Sequence, residues 1–275
     1  MRIATWNVNS IRTRKHLVID FLHNADIDVL AMQETKCKDE QFPFEDFEHA
    51  GYEVAHFGLN QWNGVAIASR LALSDIEHGF AHMPGFSKSG EEAREARAIA
   101  ASVNGVRVWS VYVPNGRSLE DPHYRYKLDW VRALGHAVGN YGSSSAALPY
   151  AVMGDFNITV TSSDVGDPDF QVPGVTHTSE PERSALQDFL KDARLSDVVR
   201  PHEPEGFTFW DYKQGKFQKN HGLRIDFIFG SADFADQVIE GRISQEERRK
   251  ESPSDHVPVV VDLASEDDDD RPMVF

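Results

Sequence analysis

Apolar positions along this chain recur in two different registers, and the alternation between them lays out its elements. Residues 2–8 read as a strand ending at Asn7. Leu17, Val18, Phe21 and Leu22 fall on one face at helical spacing and predict a helix over 13–24. Residues 28–33 are almost continuously apolar, as in a strand covered on both faces, and they deliver Glu34 at their end. Residues 52–57, 64–69 and 73–79 read as short strands, and 97–103 with 106–113 as a hairpin across Asn104-Gly105. Asp121-Pro122 opens a helix over 122–139, since proline suits a first helical position. A buried strand over 149–155 follows, then a long polar loop over 160–180. Residues 182–193 predict a helix with Leu186, Phe189, Leu190 and Ala193 on one face, and 206–211, 223–230 and 256–263 are the last expected strands. Strands alternate with helices and are too apolar to be one-sided. That argues for an α/β fold in layers, and the hairpins argue against a purely parallel sheet.

Composition changes this picture little. The chain has 275 residues, 40% hydrophobic and 26% charged, and its single cysteine excludes an internal disulfide framework. One domain over residues 1–264 is expected, followed by an acidic, disordered tail over 265–275. No signal-peptide pattern and no membrane-spanning run is present. A cytoplasmic location follows as the expectation, with nucleoid association in a bacterium.

Charge changes the picture more. A formal net charge of −16 is awkward for a nucleic-acid binder, whose affinity comes largely from neutralising phosphates. Yet basic residues cluster beside the strand ends: Arg12, Arg14 and Lys15; Lys36 and Lys38; Arg117, Arg125 and Lys127; Lys213, Lys216, Lys219 and Arg224. The field at a site matters more than the total. Any one cluster alone is explained as a solvated face.

The candidate chemistry sits at the same strand ends. Asn7, Glu34, Tyr112, Asp155, Asn157, Asp226, Asp255 and His256 are the residue types that hold one hard cation and one phosphate. Asp155 and Asn157 share a face if the backbone stays extended, and an acid beside an amide can orient a water. Gly154-Asp-Phe-Asn157 is equally good turn chemistry. Glu34 needs a cation or a basic neighbour such as Lys36 if it is buried. Asp226 can fix the tautomer of His256. Asp255 and His256 reach one site only from a loop before Val257. Tyr112 can donate to a phosphate, or merely belong to a sheet. Phe207, Phe209, Trp210 and Tyr212 can stack on a base or fill a core. No nucleotide-cofactor glycine motif occurs.

Taken as an ordered set, these segments resemble the exonuclease III and abasic-site endonuclease family, within the deoxyribonuclease I-like phosphodiesterases. The carrying stretches are Trp6-Asn-Val-Asn-Ser-Ile-Arg12, Leu30-Ala-Met-Gln-Glu-Thr-Lys36, Gly51-Tyr52, Asn63-Gly-Val-Ala66, Tyr112-Val-Pro-Asn-Gly116, Met153-Gly-Asp-Phe-Asn157, Phe207-Thr-Phe-Trp-Asp-Tyr212, Gly222-Leu-Arg-Ile-Asp226 and Ser254-Asp-His256. The resemblance implies a four-layer α/β sandwich, two mixed β-sheets packed between helices. It implies Mg²⁺, or Mn²⁺ in its place, held by Glu34 with Asn7 and Asp255 close by. Asp155, oriented by Asn157, would activate water; His256, paired with Asp226, would contact the scissile phosphate; Tyr112 would donate to the developing charge. Which of Asp155 and His256 takes the proton stays open. Asn115, Arg117, Phe209, Trp210, Leu223, Arg224 and Ile225 would bind DNA, with Phe209, Leu223 and Ile225 lining a pocket for a flipped abasic sugar.

The activity so implied is cleavage of the DNA backbone 5′ to abasic sites, with 3′→5′ exonuclease and 3′-end cleaning. It would leave a 3′-hydroxyl and a 5′-deoxyribose phosphate. The partner is double-stranded DNA carrying abasic sites or blocked or recessed 3′ ends, the protein a monomer. Two other readings compete. A related phosphodiesterase would act on RNA, inositol phosphates or lipid, and a substrate panel separates it. A catalytically dead binder would hold abasic DNA in Mg²⁺ without cutting.

Overall fold

The computed structural model describes residues 1–87 and 93–264. Among these, twelve strands pair into two sheets of six. The first holds β1 (Arg2–Asn7), β2 (Val29–Gln33), β3 (Glu53–Phe57), β4 (Val65–Ser69), β11 (Val238–Ile243) and β12 (Val259–Leu263), in the order β11-β12-β1-β2-β4-β3. The second holds β5 (Ser74–His78), β6 (Ala98–Val103), β7 (Val106–Tyr112), β8 (Tyr150–Asp155), β9 (Ser196–Asp197) and β10 (Asp226–Gly230), in the order β5-β6-β7-β8-β10-β9. The α-helices are α1 (Ile11–Asn24), α2 (Phe44–His49), α3 (Pro122–Gly142), α4 (Glu180–Asp192) and α5 (Ala232–Ala235).

Each sheet contains one parallel pair, β1 with β2 and β7 with β8, and its other pairings are antiparallel. A parallel pair needs a crossover, which α1 and α3 supply. The sheets face each other across Ile3, Val29, Ala31, Ile67, Val108, Met153, Ile228 and Val259. The helical face read from the sequence, Leu17, Val18, Phe21 and Leu22, packs on the far side of the first sheet against Trp6, Leu30 and Met32. On the far side of the second sheet, Val131, Leu134 and Val138 of α3 meet Leu186 and Phe189 of α4 over Val152 and Phe156. Burying one such side chain is worth roughly 1.5–3 kcal/mol. The result is the expected order of layers, helix, sheet, sheet, helix. Among the described residues no helix is long and apolar enough to cross a membrane.

Several expectations need correction. Residues 206–211 are not a strand: Phe209 makes isolated bridges to Leu223 and His256, and its neighbours turn to different partners. Alternating aromatics mimicked a strand there. β11 was invisible because it is an edge strand with exposed Ile239 and Glu240 and a register shift between Val238 and Glu240. The short α2 also went unread. The 160–180 loop contains two single turns, Ser162–Asp164 and Pro168–Phe170. The acidic tail lies outside the described residues.

Candidate active site

Register brings the polar strand ends together. Asn7 is opposite Gln33, so Glu34 emerges one residue beyond, with φ 52°. In the other sheet Tyr112 is opposite Asp155, and Asp155 is opposite Asp226. Gly154 is required where it stands: its φ is 145°, and a Cβ would lie 2.0 Å from the Val111 carbonyl oxygen. One amide then joins the polar ends of the two sheets. Asn7 Nδ2 donates to Glu34 Oε1 and to Asp155 Oδ2, each at 2.9 Å.

Asp155 and Asn157 do not share a face of an extended strand, as the sequence suggested. Asn157 is left-handed, with φ 51°, and its N–H donates to Asp155 Oδ1 at 2.8 Å. Its Nδ2 donates to Asp155 Oδ2 at 3.3 Å and to the Val113 carbonyl at 3.0 Å. The turn and the orientation of the acid are the same feature.

His256 sits on the loop before β12, as its reach requires. Its Nδ1 lies 2.8 Å from Asp226 Oδ2, and its Nε2 faces Asp155 Oδ2 at 3.8 Å. Thr208 Oγ1 holds the same Asp226 oxygen at 2.7 Å and accepts the N–H groups of Ile225 and Asp226, each at 3.1 Å. Burial opposes a charged His256 ring, but Asp226 and then Asp155 more than offset it, raising the pKa to about 10. Burial raises Asp155, and Asp226 and Glu34 add to that against His256, bringing it to about 7. Glu34 goes the other way. Burial opposes its charge, yet Lys36, Asn7 and His256 together hold its pKa below the ordinary value. Lys36 Nζ is 2.7 Å from Glu34 Oε2, the partner expected from the sequence. Tyr112 lies against Glu34, and burial with that charge keeps its phenol protonated well above the ordinary range.

The carboxylates fit a hard divalent cation. Ligand atoms of Glu34, Asp155 and His256 lie within 4.8 Å of one another. An imidazolium has no free lone pair, so Glu34 and Asp155 are the better donors. Asp255, expected beside Glu34, is outside this trio. Its Oδ1 accepts from Asn9 Nδ2 at 2.9 Å, on the rim beside Tyr212. Asn7 is present but presents its Nδ2 to both carboxylates.

The expected DNA contacts divide. Arg117 is exposed on the rim, over the Phe86 ring, and Asn115 Nδ2 reaches Asn157 Oδ1 at 3.3 Å. Phe209 is half-buried, its ring centroid 4.9 Å from that of His256. Leu223 and Ile225 are only 1% and 2% exposed, closed in with Val165 and covered by Phe170 and Phe209. Trp210 and Arg224, expected to touch DNA, are both buried. Trp210 fills the core between the sheets with Nε1 on Asn220, and Arg224 donates to the Glu203 carbonyl at 2.8 Å over the Phe227 ring.

Sequence reading missed several supports. Thr208 was hidden among aromatics. Asn9 repeats the Asn-x-Asn spacing after β1, a signal that could have found it. Arg97 donates to the Tyr112 carbonyl at 3.2 Å, lies over its ring, and pairs with Glu95 at 2.7 Å. Trp62 is 69% exposed on the loop before Gly64, next to the Glu34–Lys36 turn, where Lys36 N donates to the Asn63 carbonyl.

Comparison with known proteins agrees with this architecture. The model of the endonuclease/exonuclease/phosphatase family matches residues 4–256. Exodeoxyribonuclease III of Haemophilus influenzae is 30% identical over 271 residues, covering 94% of this chain and 98% of its own. A 3′ phosphatase from Neisseria, NExo, solved with a product DNA hairpin, superposes with a TM-score of 0.87 and 34% identity, over 96% of this chain and 100% of that one. An AP endonuclease from Archaeoglobus fulgidus gives 0.86 and 33%, with the same coverage. On these matches the chain belongs to the endonuclease/exonuclease/phosphatase family, in its exonuclease III and AP endonuclease branch.

Proposed function

We propose that this protein is a Mg²⁺-dependent DNA-repair phosphodiesterase that cleaves 5′ to abasic sites and trims 3′ ends of duplex DNA. One observation supports the reading most: Asn7 joins the Glu34 and Asp155 carboxylates, while His256 turns Nε2 toward the same oxygen of Asp155. A bound divalent cation would supply charge at the phosphate and lower the pKa of nearby groups. Glu34 and Asp155 would hold it. Asp155, ionised once the cation is bound and oriented by two contacts from Asn157, accepts the proton of the attacking water. His256 is protonated and has no site to accept one, so it donates Nε2–H to a phosphate oxygen, its charge balanced by Asp226. Tyr112 is a second donor.

A second reading concerns preference within this activity. Leu223 and Ile225 are closed over rather than presented. That favours 3′-end trimming over incision at an internal abasic site, because neither side chain is presented to a flipped sugar. One assay addresses both readings. A duplex with one stable abasic analogue and a matched recessed duplex with a 3′-phosphate are compared in Mg²⁺ and in chelator. Metal-dependent cleavage of both, faster at the 3′ end, is expected. No hydrolysis of either by folded protein with metal would sink the proposal.

A further inference from the structure

α3 does more than connect β7 to β8. Lys127, fully buried on its inner face, extends Nζ beneath the two loops that follow those strands. It donates to the Asn157 carbonyl at 2.7 Å and to the Asn115 carbonyl at 3.1 Å, and it pairs with the buried Glu182 of α4. A second donor meets the same Asn157 carbonyl: His177 Nδ1, at 2.6 Å. Glu182 holds both supports in place. Its Oε1 accepts Thr176 Oγ1 at 2.8 Å and His177 N at 2.9 Å, and its Oε2 accepts the Ser179 N–H and hydroxyl that cap α4. Burial, and then Lys127, push His177 down to about 4, so its ring is neutral and donates only through Nδ1.

This arrangement has no use in packing alone, since an apolar side chain would fill the same space without a buried ion pair. What it fixes is the Asn157 peptide. Asn157 is left-handed, a conformation asparagine tolerates, so what the two donors fix is the position of its peptide. Its N–H and Nδ2 are the groups that orient Asp155.

We propose that Lys127 and His177 are positioning residues that clamp the Asn157 carbonyl and so hold Asp155 in its reactive orientation. This rests on the reading of Asp155 as the water-activating group. Removing Lys127 alone strands the Glu182 carboxylate, so the informative variant is Lys127→Met with Glu182→Gln, which leaves no buried charge unpaired. His177→Phe tests the other donor without touching the ion pair. Each is compared with Asp155→Asn on the 3′-phosphate duplex, with amide exchange at Asn157 measured alongside. The expected result is a folded double variant with kcat down roughly tenfold or more, KM within about twofold, and faster exchange at Asn157. His177→Phe should show a smaller loss of the same kind. Wild-type kcat in both variants, with Asp155→Asn inactive, would overturn the clamp and leave the function standing. A rise in KM at unchanged kcat would also overturn it, assigning the network to DNA binding through Asn115. Wild-type kcat in Asp155→Asn would overturn the clamp and the function together. If the double variant does not fold, His177→Phe decides alone.

Discussion

The loops after β1 and β2 are joined by three main-chain bonds and by the side chains of Asn7 and Lys36, whereas those after β7 and β8 are bridged by one side chain from their crossover helix. In the first pair Val8 N, Ser10 N and Ile11 N donate to the carbonyls of Gln33, Glu34 and Thr35 at 3.0, 2.7 and 3.1 Å. In the second, one main-chain bond joins the loops, Val113 N to the Asp155 carbonyl at 2.9 Å, and the Lys127 ammonium bridges Asn115 and Asn157 beyond it. The acids that end these pairs differ as well. Glu34 has a lysine on one oxygen and an amide on the other and is held ionised. Asp155, 1% exposed, has two acids and a histidine around it and titrates near neutrality. Two similar carboxylates in equivalent places are thus shifted in opposite directions, and the proposed function assigns them different work, one as a standing charge and one as a proton acceptor.

Exchanging the acids for their amides would break the comparison most sharply. Asp155→Asn should lower the rate by roughly 10²–10⁴-fold, with no recovery at high Mg²⁺. Glu34→Gln should lower it through weaker metal binding, and raising Mg²⁺ should restore much of it. Initial rates over a Mg²⁺ titration distinguish them; rescue of the Asp155 variant and not the Glu34 variant would reverse the assignment.

A smaller effect sharpens it. Lys36 competes with a cation for Glu34, so Lys36→Met should tighten divalent binding about two- to fivefold, the size expected for a partly exposed pair. Calorimetric titration with Mn²⁺ measures this. Weaker binding would mean that Lys36 orders Glu34 instead.

Much of this was legible because strand ends carry their own signals. Apolar runs stopping at Asn7, Glu34, Tyr112 and Asp155 gave the positions, and the Ser-Asp-His loop gave the reach of His256. What was not legible is long-range. Whether Trp210 or Phe209 faces outward depends on which residue meets Leu223, and that residue is Phe209, fourteen positions away. Arg224 reads as a surface cation until Asp197, Glu203 and Phe227 are seen to enclose it. Lys127 falls on the inner face of a helix whose apolar spacing gives no reason to expect a charge there. Its reason is Glu182, on another helix.

The difference between the two acids also sets the pH response of the metal-free protein. Folded Asp155 keeps its proton up to about pH 7, while an unfolded aspartate loses it near 3.8. In that window the folded state holds more protons, so Asp155 costs the protein stability as pH rises through it. Bound cation should relieve the cost and displace the proton. The most direct test is a pH titration of the side-chain carboxyl carbons by NMR on metal-free protein, with Asp155→Asn and Glu34→Gln used to assign the resonances. Asp155 should titrate near 7 and Glu34 below the ordinary 4.5, and added Mg²⁺ should lower Asp155. Both acids titrating near 4, or Glu34 above Asp155, would contradict the division of labour between them.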